Sequence, residues 1–580
     1  MEQVERAAFD AQRNFGDKAF RSACYAPFTS LNFTPVGDVQ VCCKNETYVL
    51  GNVGRQSIGE IWNGATLAHL RKALNDYRFD LGCEICEWGI VSGDFRGSNA
   101  ASFEEYAVES ADPEWPQTMG FAVSNNCNFE CIMCGGELSS SIRAHRDGLP
   151  PMRKVYGDAF FEDLRPYLRR LRQAIFYGGE PFLTPECFRI WDMMLEDGLT
   201  PHCHVTTNAS QYNAKVERIL DAIPFSLSLS VDGASRETVE KIRINVNFEE
   251  YSRNIRRFRE HARQHGRHLN LSFCLMQQNW HEFGDVLLLA DSLECTVFVN
   301  TVVGPDHCSL YSLPGAELGR VVDELERQGA QLEDKLTINR GLWKNQLAYL
   351  RRNAVEKASE PLIQIRGAIL ASPPNEESYM YSLRAAERLA SEGRWHEALA
   401  ETLKVDESNI WYYYSLLARA HIRRSMGDVD GAEAELERAM EYCRKPREAL
   451  VARGWLRYGV GRIEESLQDA LRLRELCGTN DQYKIERFTA LLQCALIRTR
   501  MGDTAAADTD LEDAFELSRR SGDSRFCDAW KRFYRKQPRP AGAVEELLEV
   551  LLDVYEATGR TADAAILREQ IPVGAHSLDQ

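Results

Sequence analysis

From about Thr118 to Gln328, short apolar runs alternate with longer segments of helical periodicity. The runs at 119–123, 173–176, 204–206, 226–231, 269–275 and 296–301 have the length and composition of strands. Between them, 160–171, 186–195, 214–222, 251–264 and 281–292 carry apolar residues at helical spacing. Six strands joined by helical crossovers predict an α/β domain with a right-handed parallel sheet.

The pattern changes on either side of this block. Upstream, Leu31 and Phe33 alternate with polar residues, Gly37-Asp38 can turn, and Val39 and Val41 alternate again, which is a hairpin signal. Ser57 and Glu60 stand at capping-box spacing before Ile61, Leu67, Leu70 and Leu74. Residues 87–117 are acidic, rich in Gly, Ser and Ala, and contain Pro113 and Pro116, which predicts a linker over the surface. Downstream, Leu342, Trp343, Leu347 and Leu350 mark a helical bridge ending near Pro373-Pro374. Beyond it, Gly393, Gly427 and Gly461 are 34 residues apart and are followed five positions later by Ala398, Ala432 and Ser466. Gly502 and Gly559 head similar segments.

Composition narrows the function. Apolar content of 44% and charged content of 27% describe an ordinary globular chain. No apolar run spans a bilayer, so no membrane role is expected. The first 20 residues lack an apolar signal-peptide core. A net charge of −17 argues against nucleic acid as the main partner. Seventeen cysteines without an export signal suggest reduced thiols and a cytoplasmic protein.

Chemistry concentrates in Cys127, Cys131 and Cys134, a CxxxCxxC pattern that follows the first strand. Three thiolates hold three irons of a [4Fe–4S] cube and leave the fourth for a small molecule. Zinc is the alternative, but a closed structural zinc site takes four protein ligands, and the next Cys or His is His145. Gly178-Gly179-Glu180-Pro181 follows the second strand. Thr206, Thr207 and Asn208 end the third, Ser228, Ser230 and Asp232 lie along the fourth with Ser226 on the face of the two serines, and Arg243 follows in Lys-Ile-Arg-Ile-Asn.

Cysteine loop and GGEP together resemble the radical S-adenosylmethionine (radical SAM) enzymes. The resemblance implies a partial (β/α)6 barrel, open on one side, with active residues at the C-terminal strand ends. It implies that Cys127, Cys131 and Cys134 bind a [4Fe–4S] cluster. Gly178, Gly179, Glu180 and Pro181 would meet the amino group of S-adenosylmethionine (SAM), and Arg243 its carboxylate. The serines could hydrogen-bond the ribose. Met133 replaces the family's usual aromatic residue and can still cover an adenine face. The implied chemistry is reductive cleavage of SAM to methionine and a 5′-deoxyadenosyl radical, which abstracts hydrogen from a C–H bond. After the sixth strand, Cys308 or Tyr311 could donate a hydrogen atom and His307 could move protons; an ordinary surface loop is the bland alternative.

Cys24, Cys42, Cys83 and Cys86, with Gly37 five residues before Cys42, resemble the SPASM and twitch auxiliary-cluster domains and imply a second [4Fe–4S] cluster. Cys43 is an alternative to Cys42, and a four-cysteine zinc site is the competing reading. In this chain the domain precedes the barrel and supplies cysteines for a single cluster. The 34-residue period resembles tetratricopeptide repeats, which implies an all-α helical-repeat solenoid. Trp411, Tyr412, Tyr413, Tyr414, Trp455 and Tyr458 are candidates for its groove, most of them as packing between repeats.

The resulting expectation is a small cysteine-rich α+β cluster domain with its linker at 1–117, the barrel at 118–330, a helical bridge at 331–374 and repeats at 375–580. The expected substrate is a peptide or protein, held by the repeats and crosslinked, epimerised or oxidised, with an electron donor such as a flavodoxin or ferredoxin. The alternative substrate is a small sugar or aminocyclitol, acted on by a dehydrogenase or epimerase. An iron–sulfur scaffold or sensor is the third reading.

Overall fold

A computed structural model describes residues 3–521 except 14, 17, 92–94, 96–97, 303, 333, 357–374, 377, 379 and 479–482. Beyond 521 it describes only 548, 550–552, 555 and 568. The chain divides into two compact units, one of residues 1–146 and 151–381, the other of 147–150 and 382–580.

The first unit is built on one nine-stranded sheet. Its strands are β1 (Ser30–Phe33), β2 (Asp38–Gln40), β3 (Gly51–Asn52), β4 (Thr118–Phe121), β5 (Gln173–Phe176), β6 (His202–Thr207), β7 (Phe225–Ser230), β8 (Leu269–Leu275) and β9 (Thr296–Thr301). They lie in the order β3-β2-β1-β4-β5-β6-β7-β8-β9, open at both ends. From β4 to β9 every pair is parallel, as the alternation of strands and helices implies. The expected strands at 173–176, 269–275 and 296–301 match β5, β8 and β9 residue for residue.

The hairpin does not stand apart. β1 pairs parallel with β4, so the boundary expected at 117 falls inside a continuous sheet. Register explains this. Phe33, Phe121, Phe176, Val205, Leu227 and Leu269 are successive Cα partners in one apolar row across six strands. All six are buried, and burying a side chain of this size stabilises by about 1.5–3 kcal/mol. Phe121 stacks between Phe33 and Phe176 at centroid distances of 5.6 and 5.1 Å. The neighbouring row on the opposite face is Asn32, Gly120, Ile175, His204 and Ser226. Side chains alternate across a strand, so one face is apolar and the other is mixed and largely polar.

Ser57 and Glu60 form the expected capping box, but the helix breaks at Gly64 into Ile58–Trp62 and Ala65–Asn75. Segment 87–117 is not a surface linker. Phe95, Phe103, Tyr106 and Val108 are buried in the core, and Trp62 Nε1 donates to the Pro113 carbonyl at 2.8 Å. In the helical bridge, Trp343 of helix Arg340–Glu356 is fully buried and stacks on Phe283 at 5.3 Å. Pro373-Pro374 lies outside the described residues.

Apart from residues 147–150 and the turns between helices, the second unit is helical where described. Gly393, Gly427, Gly461 and Gly502 stand between successive helices with φ of +74°, +82°, +82° and +81°. That left-handed backbone favours glycine and ends each helix. Ala398, Ala432 and Ser466 are buried in the hairpins that follow. Tyr412, Tyr413, Trp455 and Tyr458 are core residues, whereas Tyr414 is 40% exposed and Trp411 half-buried. Gly559 lies outside the described residues. Among the described residues no helix is long and apolar enough to cross a membrane.

Candidate functional site

The loop after β4 carries Cys127, Cys131 and Cys134 and is wrapped by its own polar residues. Ser140 Oγ and Ser141 Oγ donate to the Cys127 carbonyl at 3.2 and 2.9 Å, and Ser139 Oγ donates to the Phe129 carbonyl at 2.7 Å. Backbone N–H groups of Glu130 and Ile132 donate to Ile244 and Ile242, tying the loop to the segment that bears Arg243. These serines follow the motif directly, yet nothing in their spacing marked them. His145 takes no part: its Nδ1 lies 2.9 Å from Glu130 Oε1.

Gly178-Gly179-Glu180 runs against the same loop. Gly179 N donates to the Ser124 carbonyl and Glu180 N to the Asn126 carbonyl, at 3.2 and 2.7 Å. A Cβ on Gly179 would lie 2.4 Å from the Asn126 oxygen, so only glycine allows this approach. Glu180 is fully buried. Its carboxylate accepts from Thr207 Oγ1 at 2.7 Å, Asn208 N at 2.6 Å and Phe182 N at 3.0 Å. Burial nevertheless pushes the carboxyl up to about 7, against the pull of these donors. Thr207, not Thr206, reaches Glu180; the two point to opposite faces of β6, and Thr206 stays half-buried. Asn208 Nδ2 is 3.6 Å from Cys127 Sγ and donates to Asn128 Oδ1 at 3.1 Å. Pro181 opens the turn that follows.

Arg243 is buried with Nη2 2.6 Å from Asp232 Oδ2 and Nη1 3.9 Å from Cys131 Sγ. Asp232, at the end of the serine strand, is a partner that the Lys-Ile-Arg motif did not reveal. Met133 is half-buried in an apolar cluster of Ile242, Met276, Val302 and Cys308.

The three candidates after β9 do not converge. Cys308 is fully buried in that apolar cluster, which pushes its thiol up to about 12. Tyr311 packs in the main core with Tyr349, ring centroids 6.0 Å apart. His307 is exposed.

The serine row faces away from the apolar row and is hydrogen-bonded within the sheet. Ser228 Oγ donates to Asn270 Oδ1, Asn300 Nδ2 donates to Ser272 Oγ at 2.7 Å, and His202 Nε2 lies 2.8 Å from Ser226 Oγ. Ser230 is half-buried on the same face. Burial holds the neighbouring His204 down at about 4, so its imidazole is neutral at pH 7. Tyr177, next to the glycines, donates to Asn32 Oδ1 of β1. The bond passes over Gly120, where a Cβ would sit 2.2 Å from that oxygen. Neither Tyr177 nor Asn32 belongs to a motif.

Cys24, Cys42, Cys83 and Cys86 meet beside β1 and β2. Burial raises all four thiols, and the charges of the others add to this at Cys24, Cys42 and Cys83. Burial likewise pushes Cys127 up to about 11, and Cys131 is raised by its hydrogen bond to Cys134 and by burial. Thiols held neutral in this way become thiolates when a metal supplies the compensating charge. The donor sets therefore fit iron–sulfur clusters: three cysteines in a glycine-lined cradle, and four from the two ends of the hairpin and the start of helix Glu84–Val91. Cys43 is exposed.

Residues 121–290 match the radical SAM superfamily. This stretch is a radical SAM domain, and the chain is an enzyme. Residues 24–87 match SPASM, an iron–sulfur cluster-binding domain. The cofactors are a [4Fe–4S] cluster with SAM in the radical SAM domain, and auxiliary iron–sulfur in the SPASM domain. Among solved structures, anSMEcpe with bound AdoMet is 17% identical over 36% of this chain and 58% of its own, with a TM-score of 0.26. Streptococcus suis SuiB bound to precursor peptide SuiA is 14% identical over 45% of this chain and 61% of its own, with a TM-score of 0.28. The chain thus spans about three fifths of the structures it matches. No curated protein matches it significantly.

Proposed function

We propose that this enzyme abstracts hydrogen from a C–H bond of a peptide or protein substrate on the polar face of the sheet. The observation that carries this reading is the Tyr177–Asn32 hydrogen bond over Gly120. It joins the strand end that bears GGEP to β1 of the hairpin whose ends carry Cys24 and Cys42, with polar side chains continuing across β6 to β9. When bound, the cluster and SAM supply a 5′-deoxyadenosyl radical by reductive cleavage.

The chain's own residues bind, orient and shield. Cys127, Cys131 and Cys134 hold the radical SAM cluster, and Asn208 and Arg243 stand beside its cysteines. Three of the roughly four lone-pair sites of the Glu180 carboxylate are taken, which leaves one for the SAM amino group. Gly178, Gly179 and Pro181 shape that turn, and Met133 covers the adenine. Ser228, Ser230 and Thr206 line the face toward the ribose and the substrate. Cys24, Cys42, Cys83 and Cys86 would hold the auxiliary cluster, which would supply a group able to accept or relay an electron. Among the loop candidates, Cys308 belongs to the apolar cluster against which Ile132 and Met133 of the cysteine loop pack, which places it to brace that loop and not to reach a substrate; Tyr311 and His307 support the loop after β9. Helical hairpins at a 34-residue period suit a tetratricopeptide-like groove for an extended peptide. A flavodoxin or ferredoxin would provide the electron.

The test is anaerobic. Enzyme reconstituted to about eight irons, four per cluster, is reduced with SAM and any short peptides found encoded beside its gene. Release of 5′-deoxyadenosine with a mass change in a peptide supports the proposal. Release with no change in any peptide, but turnover of a small sugar or aminocyclitol, replaces the substrate class and leaves the radical chemistry intact.

A further inference from the structure

On the helical layer, outside the radical SAM site, three metal-ligating groups converge. Helix Ala214–Ala222 supplies Asp221, and helix Phe248–Gln264 supplies His261, with His265 at its C-cap. His261 Nε2 lies 3.0 Å, and His265 Nε2 3.8 Å, from the same Asp221 oxygen. The imidazoles, one helical turn apart, stack with centroids 4.2 Å apart and planes inclined at 23°. His261 is buried, while Asp221 and His265 open the group to solvent.

The tautomer of His265 gives the cluster its meaning. Its Nδ1 is 3.0 Å from the His261 carbonyl oxygen, which can only accept, so Nδ1 carries the hydrogen. In the neutral ring Nε2 then presents a lone pair 3.8 Å from the Asp221 carboxylate oxygen, two acceptors that a shared cation would satisfy together. A backbone carbonyl on the far nitrogen is also the usual partner that orients a metal-binding histidine. Bonds of about 2.0–2.1 Å at tetrahedral angles place donor atoms about 3.3–3.4 Å apart. The observed 3.0 and 3.8 Å bracket that value.

We propose that Asp221, His261 and His265 bind a divalent cation of the zinc class, with water completing the coordination. The ion clamps the two helices together. From the second helix, Asn254 Nδ2 donates to the Ala209 and Ser210 carbonyls at 3.0 and 3.2 Å, and Arg257 Nη1 to the Tyr212 carbonyl at 2.9 Å. The clamp therefore braces the loop that follows Asn208.

The experiment uses holoenzyme with its clusters in place, equilibrated with micromolar free zinc, desalted and analysed for zinc and iron together. Wild type should retain one zinc per chain with its iron unchanged, and its melting temperature should rise. D221N and H265Q, both changes at solvent-accessible side chains, should retain the iron but neither the zinc nor the melting shift. Equal zinc in wild type and variants, no zinc in wild type, or zinc gained only as iron is lost would each overturn the proposal.

Discussion

Glu180 offers a direct test of how SAM is held. Its carboxyl is raised from 4.5 to about 7 because burial outweighs three hydrogen bonds. A shift of that size corresponds to about 3 kcal/mol against the ionised form. If the SAM ammonium takes the remaining lone-pair site, binding requires the carboxylate. The apparent Kd then scales with the reciprocal of its ionised fraction. The sign is fixed: affinity is low below the raised value and grows as pH rises through it. For a carboxyl titrating at about 7, the apparent Kd should be about 16-fold weaker at about pH 5.5 than at about pH 7.0. Staying below the range of the ligand's own α-amino group, about 7.7–8.0, keeps that group charged throughout. Equilibrium dialysis of labelled SAM against reconstituted, unreduced enzyme measures this. E180Q should bind about 10- to 150-fold more weakly at about pH 7, from the about 1.5–3 kcal/mol of a hydrogen bond to a charged group, and with little pH dependence. A flat wild-type profile, or an equal slope in E180Q, would show that Glu180 only braces the turn.

Three further outcomes follow from the geometry. G179A forces a Cβ to within 2.4 Å of the Asn126 oxygen, so anaerobic reconstitution should leave about four irons where wild type holds about eight. Iron analysis should also separate the adjacent cysteines: C42A should lose about four irons and C43A none, and the reverse result would exchange their roles. W343A empties the site of a fully buried indole stacked on Phe283 and should cost about 3–5 kcal/mol, read as a lower urea midpoint of the first unit. A midpoint unchanged in W343A would contradict the packing.

What the sequence made legible follows from where the information is local. Cys127, Cys131 and Cys134 lie within one loop, and GGEP is contiguous, so spacing alone brought them forward. Strand β8 could be bounded because its alternation is uninterrupted, and β5 and β9 because each is a short apolar run between polar or turn residues. Residues that depend on register stayed hidden. Asn32 and Tyr177 are 145 positions apart and meet only because β1 pairs with β4 and β4 with β5. Thr206 and Thr207 are chemically the same, and only the orientation of β6 decides which one reaches Glu180. Segment 87–117 reads as a linker by its acidic, Gly- and Pro-containing composition, yet Phe95, Phe103, Tyr106 and Val108 anchor it. Local composition reports turn chemistry, whereas four dispersed apolar residues are enough to bury a chain. The same distinction separates Arg243 from Asp232. An arginine after the fourth strand is visible as a motif, but its commitment to Asp232, 2.6 Å away, is set by the turn between them. That pairing holds the guanidinium 3.9 Å from Cys131 Sγ, so any SAM carboxylate it receives must be shared with a carboxylate already in place.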